Sequence, residues 1–306
     1  MPYVDVLRGL KALFLEGPES PDRAALLRAR APGLAPDERR TLEALEADRV
    51  GIYVGLLRDN QAAMLDFVAP MTVELAERFA GTPRAEFARA TLVETPRRSS
   101  RLRELAQRVI DHLEGAGAAV TRRCPAILDM ARLERAQTEA FYAPDVEGAL
   151  TPPEFAALVT DSTVEEVLAL AHVVAPSVRI VSVGVDVLGW RDRRAESGRF
   201  DDPPPALASP LEVLVVRDPE SLQPVAHRLE PALLELVRPR GDADSLESLA
   251  ARWLDATGLS TDDPSAPGRF FEQAAEWVRQ GVILVLAPGA SAAATDAPPS
   301  GSAPAS

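Results

Sequence analysis

The chain of 306 residues carries 33 Lys and Arg against 46 Asp and Glu, a formal net charge of −13 with histidine neutral. So acidic a chain lacks the clustered positive charge that phosphate backbones demand, which argues against a nucleic-acid footprint. Its 46% apolar and 26% charged residues suit a soluble globular protein with room for two or three domains, and its one cysteine, Cys124, excludes an intrachain disulfide and suits a reducing cytoplasm.

Tyr3 to Glu16 reads as an amphipathic helix with Val6, Leu7, Leu10, Leu13 and Phe14 on one side. Asp5, Arg8 and Lys11 interrupt its apolar residues, so a signal peptide is not expected there. No apolar run approaches the ~18 residues that span a bilayer. Pro21 sits at the first position of a second helix carrying Leu26 and Leu27. Pro36 begins a long helical stretch through Leu42, Ile52, Leu56, Leu65 and Val68, on which Gly51 and Gly55 lie one turn apart; close helix packing is their expected use.

Thr82-Pro83 opens a helix with Phe87 and Leu92, and Ser99 or Ser100 caps the next, whose stripe is Leu102, Leu105, Val109, Ile110 and Leu113. Pro125 opens a helix ending near Phe141-Tyr142. Thr151 with Glu154 and Thr163 with Glu166 are capping boxes, each a Thr followed three residues later by Glu. Beyond Pro176 the chain turns β-branched, Val178 to Val187, and reads as one strand or a bent pair ending at Trp190. Arg191 to Pro210 is polar and Pro-rich, a linker of about 20 residues, long enough to mark a boundary.

Leu211 to Val216 and Leu222 to Leu229 flank the turn cluster Asp218-Pro219-Glu220-Ser221, the pattern of a hairpin. Three helices follow: one after Pro231, one from Ser245 to about Leu254, and one from Pro267 carrying Phe270, Phe271, Ala274, Trp277 and Val278. Gly281 stops the third, and Val282 to Leu286 is a short strand. A small sheet on three helices is the outline of a winged helix, a unit that reads DNA or offers a sheet edge to a peptide. The expected fold is therefore mainly α with a C-terminal α+β module. Its domains are a helical domain at 1–150, a helical and extended connector with the Pro-rich linker at 151–206, the winged-helix-like module at 207–288, and a disordered tail at 289–306.

Chemistry is sparse. His112, His172 and His227 fall on three different elements with no metal-ligand spacing, and no metal site or cofactor is expected on this chain. Cys124 follows Arg122-Arg123, yet no nearby histidine offers itself as a base, and a structural thiol is the expected reading. There is no glycine-rich phosphate loop and no nucleophile elbow. No catalytic residue is expected.

Several short motifs resemble a known family. Arg49-Val50-Gly51-Ile52-Tyr53 is similar to its Arg-x-x-x-Tyr helix start, and Phe67-Val68-Ala69-Pro70, Phe79-Ala80-Gly81, Phe87-Ala88-Arg89 and Thr95-Pro96-Arg97-Arg98-Ser99 follow in order. The most telling piece is Leu128-Asp129-Met130-Ala131-Arg132-Leu133-Glu134; Ala140 to Asp145, Pro176-Ser177-Val178 and Trp190 come after it. The family is DUF2063, described as DNA-binding and also as HvfC/BufC-type peptide-modification chaperones. Arg135 stands where the family has Trp after Leu-Glu, and Val54 stands where it has Arg after Tyr53.

The resemblance implies a non-catalytic partner of a DUF692-type multinuclear iron enzyme. Such a partner helps present a ribosomally made precursor peptide for oxidation, with iron on the enzyme and none on this chain. Leu211 to Arg217 is the candidate sheet edge for the peptide, with Val213 and Val215 facing it, provided the strand is not already paired on both sides. Arg217 and Arg228 would meet acidic residues of the leader. Phe271 and Trp277 would wall the groove or belong to the core. The alternative is a winged-helix transcriptional regulator, weighed down by a third helix in which Glu272 and Glu276 balance Arg269 and Arg279.

Overall fold

The computed structural model describes residues 2–15, 22–45, 52, 56, 59–60, 63–93, 102–197, 202–229, 231–234, 236–238, 243–260 and 263–290. Expectations about Arg49, Gly51, Tyr53, Gly55, the Thr95–Ser99 motif and the tail beyond Ala290 lie outside these residues. The chain divides into two units, Met1–Leu128 and Asp129–Ser306.

Among its described residues the first unit holds helices and no strand. Helices α1 (Pro2–Leu15), α2 (Arg23–Arg30) and α3 (Pro36–Glu43) enclose a small core of Leu13, Leu27, Ala31, Leu34 and Leu42. Gly9 lets α1 approach its neighbours. A methyl there would lie 2.7 Å from a δ carbon of Leu42 and 3.1 Å from one of Leu34. Asp22 caps α2 by accepting from Ala25 N–H at 2.8 Å.

Residues 63–68 are helical, and Pro70 then opens α4 (Pro70–Arg78), which buries Met71, Val73, Leu75 and Ala76. Helices α5 (Arg84–Val93), α6 (Leu102–Glu114) and α7 (Ala118–Arg123) complete the unit. The stripe expected on α6 is buried at Leu105, Val109, Ile110 and Leu113. His112 lies edge-on to Phe87, ring centroids 5.7 Å apart.

The division falls inside α8 (Ala126–Phe141). The second unit continues through α9 (Pro152–Asp161), α10 (Val164–Leu168), β1 (Ala171–Val174), β2 (Arg179–Val185) and α11 (Val187–Ser197). It closes with β3 (Ala206–Arg217), β4 (Pro224–Arg228), α12 (Pro231–Leu234), β5 (Asp244–Ser245), α13 (Leu246–Thr257), α14 (Ala266–Arg279) and β6 (Ile283–Val285). Both capping boxes form: Thr151 N–H and Thr163 N–H each donate to the Glu three residues on, at 2.8 Å. Ser245 caps α13, and Gly258 (φ +68°) and Gly281 (φ +70°) take the left-handed conformations that end α13 and follow α14.

The strands form two antiparallel sheets, ordered β5-β1-β6 and β2-β3-β4. The hairpin is present as expected, but three expectations are corrected. The segment expected as a connector at 151–206 supplies β1 and β2, the partners of β6 and β3, so it belongs to the same sheets as 207–288. The β-branched run does not continue to Trp190. Asp186 accepts from Gly189 N–H at 3.0 Å and starts α11, which carries Trp190. Finally, β3 is central: Val215 pairs with Arg179 on one side and Ala226 on the other, so Leu211 to Arg217 is no free edge.

One core serves this unit, with Phe155, Val216, Leu246, Leu249, Val282 and Val285 almost fully buried. Each such large apolar side chain contributes about 1.5–3 kcal/mol relative to exposure. The Leu128–Glu134 motif lies on α8, where Met130, Ala131 and Leu133 are buried and Asp129 accepts from Gly184 N–H at 2.6 Å. The β2–β3 register shifts between Val183 and Val185, so the bulge at Gly184 is where α8 holds β2.

Candidate functional site

A groove of about 400 Å³ opens on the second unit where three segments converge. One wall is residues 144–153, with Pro144, Leu150, Pro152 and Pro153. The second is the turn Ala175-Pro176-Ser177, and the third is the end of the β3–β4 hairpin, with Arg217, Pro219, Glu220 and Leu222. Val278, Gly281 and Leu284 also line it. Prolines recur because each wall is a connection beside a helix start or strand end, where a fixed φ and a missing N–H cost nothing.

Backbone hydrogen bonds set the walls. Leu150 N–H donates to Val285 O and Ala287 N–H to Gly148 O, both at 2.8 Å, which covers the outer edge of β6 with residues 148–150. Ala175 N–H donates to Val282 O at 2.9 Å. At Gly281 the hairpin comes so close that an added Cβ would sit 2.7 Å from Arg217 O. A side chain larger than hydrogen would push the hairpin away from the end of α14.

Arg217 fastens the hairpin to the segment after α8. Its Nη1 donates to Ala143 O at 2.9 Å and Phe141 O at 3.3 Å, and its Nη2 pairs with Asp145. The fork geometry of a guanidinium suits such divergent acceptors. The hairpin tip is a tight turn in which Asp218 Oδ1 accepts from Ser221 N–H at 2.7 Å and Glu220 N–H at 3.1 Å. Those bonds hold the Asp218 carboxyl below its ordinary pKa. Leu222 follows with φ +58°, the one non-glycine residue at positive φ among those described, and it is 55% exposed. That slot favours Gly or Asn, and leucine there carries about 1–2 kcal/mol of steric cost.

The six residues expected to bind peptide separate. Val213 and Val215 are fully buried in the central strand, which is paired on both sides. Trp277 is core, 4% exposed, and half-buried Phe271 packs on the same core beside Phe270. Arg228 is exposed and pairs with Asp186 at 3.0 Å, outside the groove. Arg217 alone lines the groove. Sequence reasoning passes over Leu222 and the Pro152-Pro153 wall because a turn and a capping box look like local punctuation. Proline beside a helix cap on one segment and within the hairpin turn on another was the available signal.

The groove's lining includes the hydroxyls of Thr151 and Ser177 and the carboxyl groups of Asp145 and Glu220. Elsewhere, burial pushes the Cys124 thiol above its ordinary pKa against hydrogen bonds from the backbone of Ile127 and Ala126, the opposite of nucleophile activation. Burial likewise lowers the pKa of His172 and of His227. Among the described residues no cluster of His, Cys, Asp or Glu is arranged to hold a metal ion, and no helix is long and apolar enough to cross a membrane. A comparison with protein-family models finds no match for this chain, and a comparison with curated proteins finds none.

Proposed function

We propose that this chain is a non-catalytic adaptor that binds the leader of a ribosomally made precursor peptide and presents it to a DUF692-type multinuclear iron enzyme. The observation that carries the reading is the open, proline-lined groove, with an exposed Leu222 held in a strained conformation at its lip. Strain kept at an exposed apolar residue points to a contact made with something outside the fold. The ordered motifs that resemble those of DUF2063, from Phe67-Val68-Ala69-Pro70 through Leu128–Glu134 to Pro176-Ser177-Val178, suggest the class of partner. The short sheet β5-β1-β6 with α9, α13 and α14 fits a winged-helix-like recognition module, although the hairpin belongs to the other sheet.

Helix α14 weighs against a DNA reader. Its Phe270, Ala274, Trp277 and Val278 are buried, and its Arg279 is paired with Glu276 at 2.5 Å. A groove-reading helix needs basic or amide side chains free for bases and phosphates.

Co-expression tests the adaptor directly. The tagged chain should retain a co-expressed DUF692-type enzyme through size-exclusion chromatography, and modification of a co-expressed precursor peptide should require both proteins. Full modification by the enzyme alone would overturn the proposal.

A further inference from the structure

Five prolines line the groove, Pro144, Pro152, Pro153, Pro176 and Pro219, with at least one on each of its three walls. Their rings are rigid and apolar, and they pack well on the flat faces of aromatic side chains, the pairing by which proline-rich segments dock in aromatic-lined grooves. Among the described residues the lining holds no aromatic side chain of its own. Leu222 adds a further exposed apolar surface at the lip.

Most polar groups of the lining are already engaged. Arg217 is committed to two carbonyls and to Asp145, and Thr151 Oγ1 bonds Glu154 at 2.7 Å. Glu220 is exposed and lies in the field of Arg279. Ser177 is different. It is 4% exposed, the most buried polar residue of the lining, and its hydroxyl forms no hydrogen bond among the described residues. A buried hydroxyl without a partner costs free energy, so one set in the wall of an open groove points to a bond completed from the groove.

We infer, resting on the reading that this groove holds a peptide, that it captures one aromatic side chain with a hydrogen-bonding tip, tyrosine or tryptophan. The ring lies against the prolines and Leu222, and its O–H or N–H meets Ser177 Oγ. A serine hydroxyl serves either, since it both donates and accepts. Tyrosine and tryptophan need such a partner when buried, whereas phenylalanine and leucine would leave Ser177 unsatisfied. The groove, about 400 Å³, is at the small end of ligand pockets, which suits one large side chain with the backbone beside it.

Nuclear magnetic resonance titration of the full chain tests the inference with three twelve-residue probes of alternating Gly and Ser that differ only in one central residue, Tyr, Phe or Leu. The Tyr probe should bind about three- to tenfold better than the Phe probe, the worth of one hydrogen bond, and Phe should exceed Leu. Ser177→Ala should bring the Tyr probe down to the Phe probe and leave the Phe probe unchanged, a pattern that general damage to the groove would not give. Leu222→Asn should weaken both. Equal weakening of the Tyr and Phe probes by Ser177→Ala would overturn the role of the hydroxyl. Leu binding as tightly as Tyr, with sensitivity to Leu222→Asn, would overturn the aromatic assignment while keeping the groove as a peptide site. If no probe binds, or none responds to either groove variant, the peptide reading of the groove fails and the inference falls with it.

Discussion

Leu222 and Arg217 occupy neighbouring positions at the hairpin end and do opposite things. Arg217 is structural: its side chain is only 18% exposed and its guanidinium meets Phe141 O, Ala143 O and Asp145. Lysine keeps the charge but cannot serve acceptors that diverge, so Arg217→Lys should destabilise the second unit by about 1–3 kcal/mol, read from urea unfolding. No change would mean the clamp is dispensable. Leu222 is the reverse case. Asparagine tolerates its φ of +58°, and the relief of about 1–2 kcal/mol offsets the modest apolar burial that leucine provides. Leu222→Asn should therefore leave the urea midpoint almost unchanged, although a large apolar side chain is deleted. A destabilisation of about 2 kcal/mol or more, in the range of core truncations, would show that Leu222 packs rather than waits for a partner.

At the scale of elements, local signals were legible and long-range pairings were not. Thr151 with Glu154, Thr163 with Glu166, Ser245 and Gly281 act within a few residues, so the sequence shows what they do, and the helices they bound start and stop near the expected places, whereas the long stretch expected from Pro36 breaks after Glu43. The pairing of β1 with β6 and of β2 with β3 joins residues far apart in the chain, and no local pattern announces it. Asp186 was hidden for a related reason: a β-branched run on its N-terminal side outweighed one capping residue. The groove was legible only through Arg217, because it is made by three separated connections rather than by one strand and one helix.

The same elements carry a pH dependence. His172 is buried on β1, where desolvation lowers its pKa below 6.5 despite a hydrogen bond with the backbone of Asp244 and the nearby Asp244 charge; Arg252 also opposes its protonation. The unfolded chain therefore binds the proton first. The stability this neutral histidine contributes is complete above the ordinary histidine pKa and falls as pH drops through the folded value. Glu154 and Glu166, held low by their Thr partners, add a second decline that begins only below the ordinary glutamate range. Thermal melts should fall in two stages on acidification. The pKa of His227 is lowered in the same way, so His172→Gln should reduce the first stage and leave the second. An unchanged first stage in that variant would assign it to another group.

For the whole molecule, the two units differ in kind. The first is helical among its described residues, with Gly9 beside the small core of α1 to α3 and the apolar stripe of α6 buried. The second adds two sheets and the groove to a single larger core. The proposed peptide capture is placed on the second unit on that ground. The most direct measurement is hydrogen–deuterium exchange on the full chain, with and without a candidate precursor peptide. Protection is predicted to concentrate at residues 144–153, 175–177 and 217–222, with the central β3 ladder at Val213 and Val215 unchanged. Protection elsewhere with none at these three segments would contradict peptide capture by the groove.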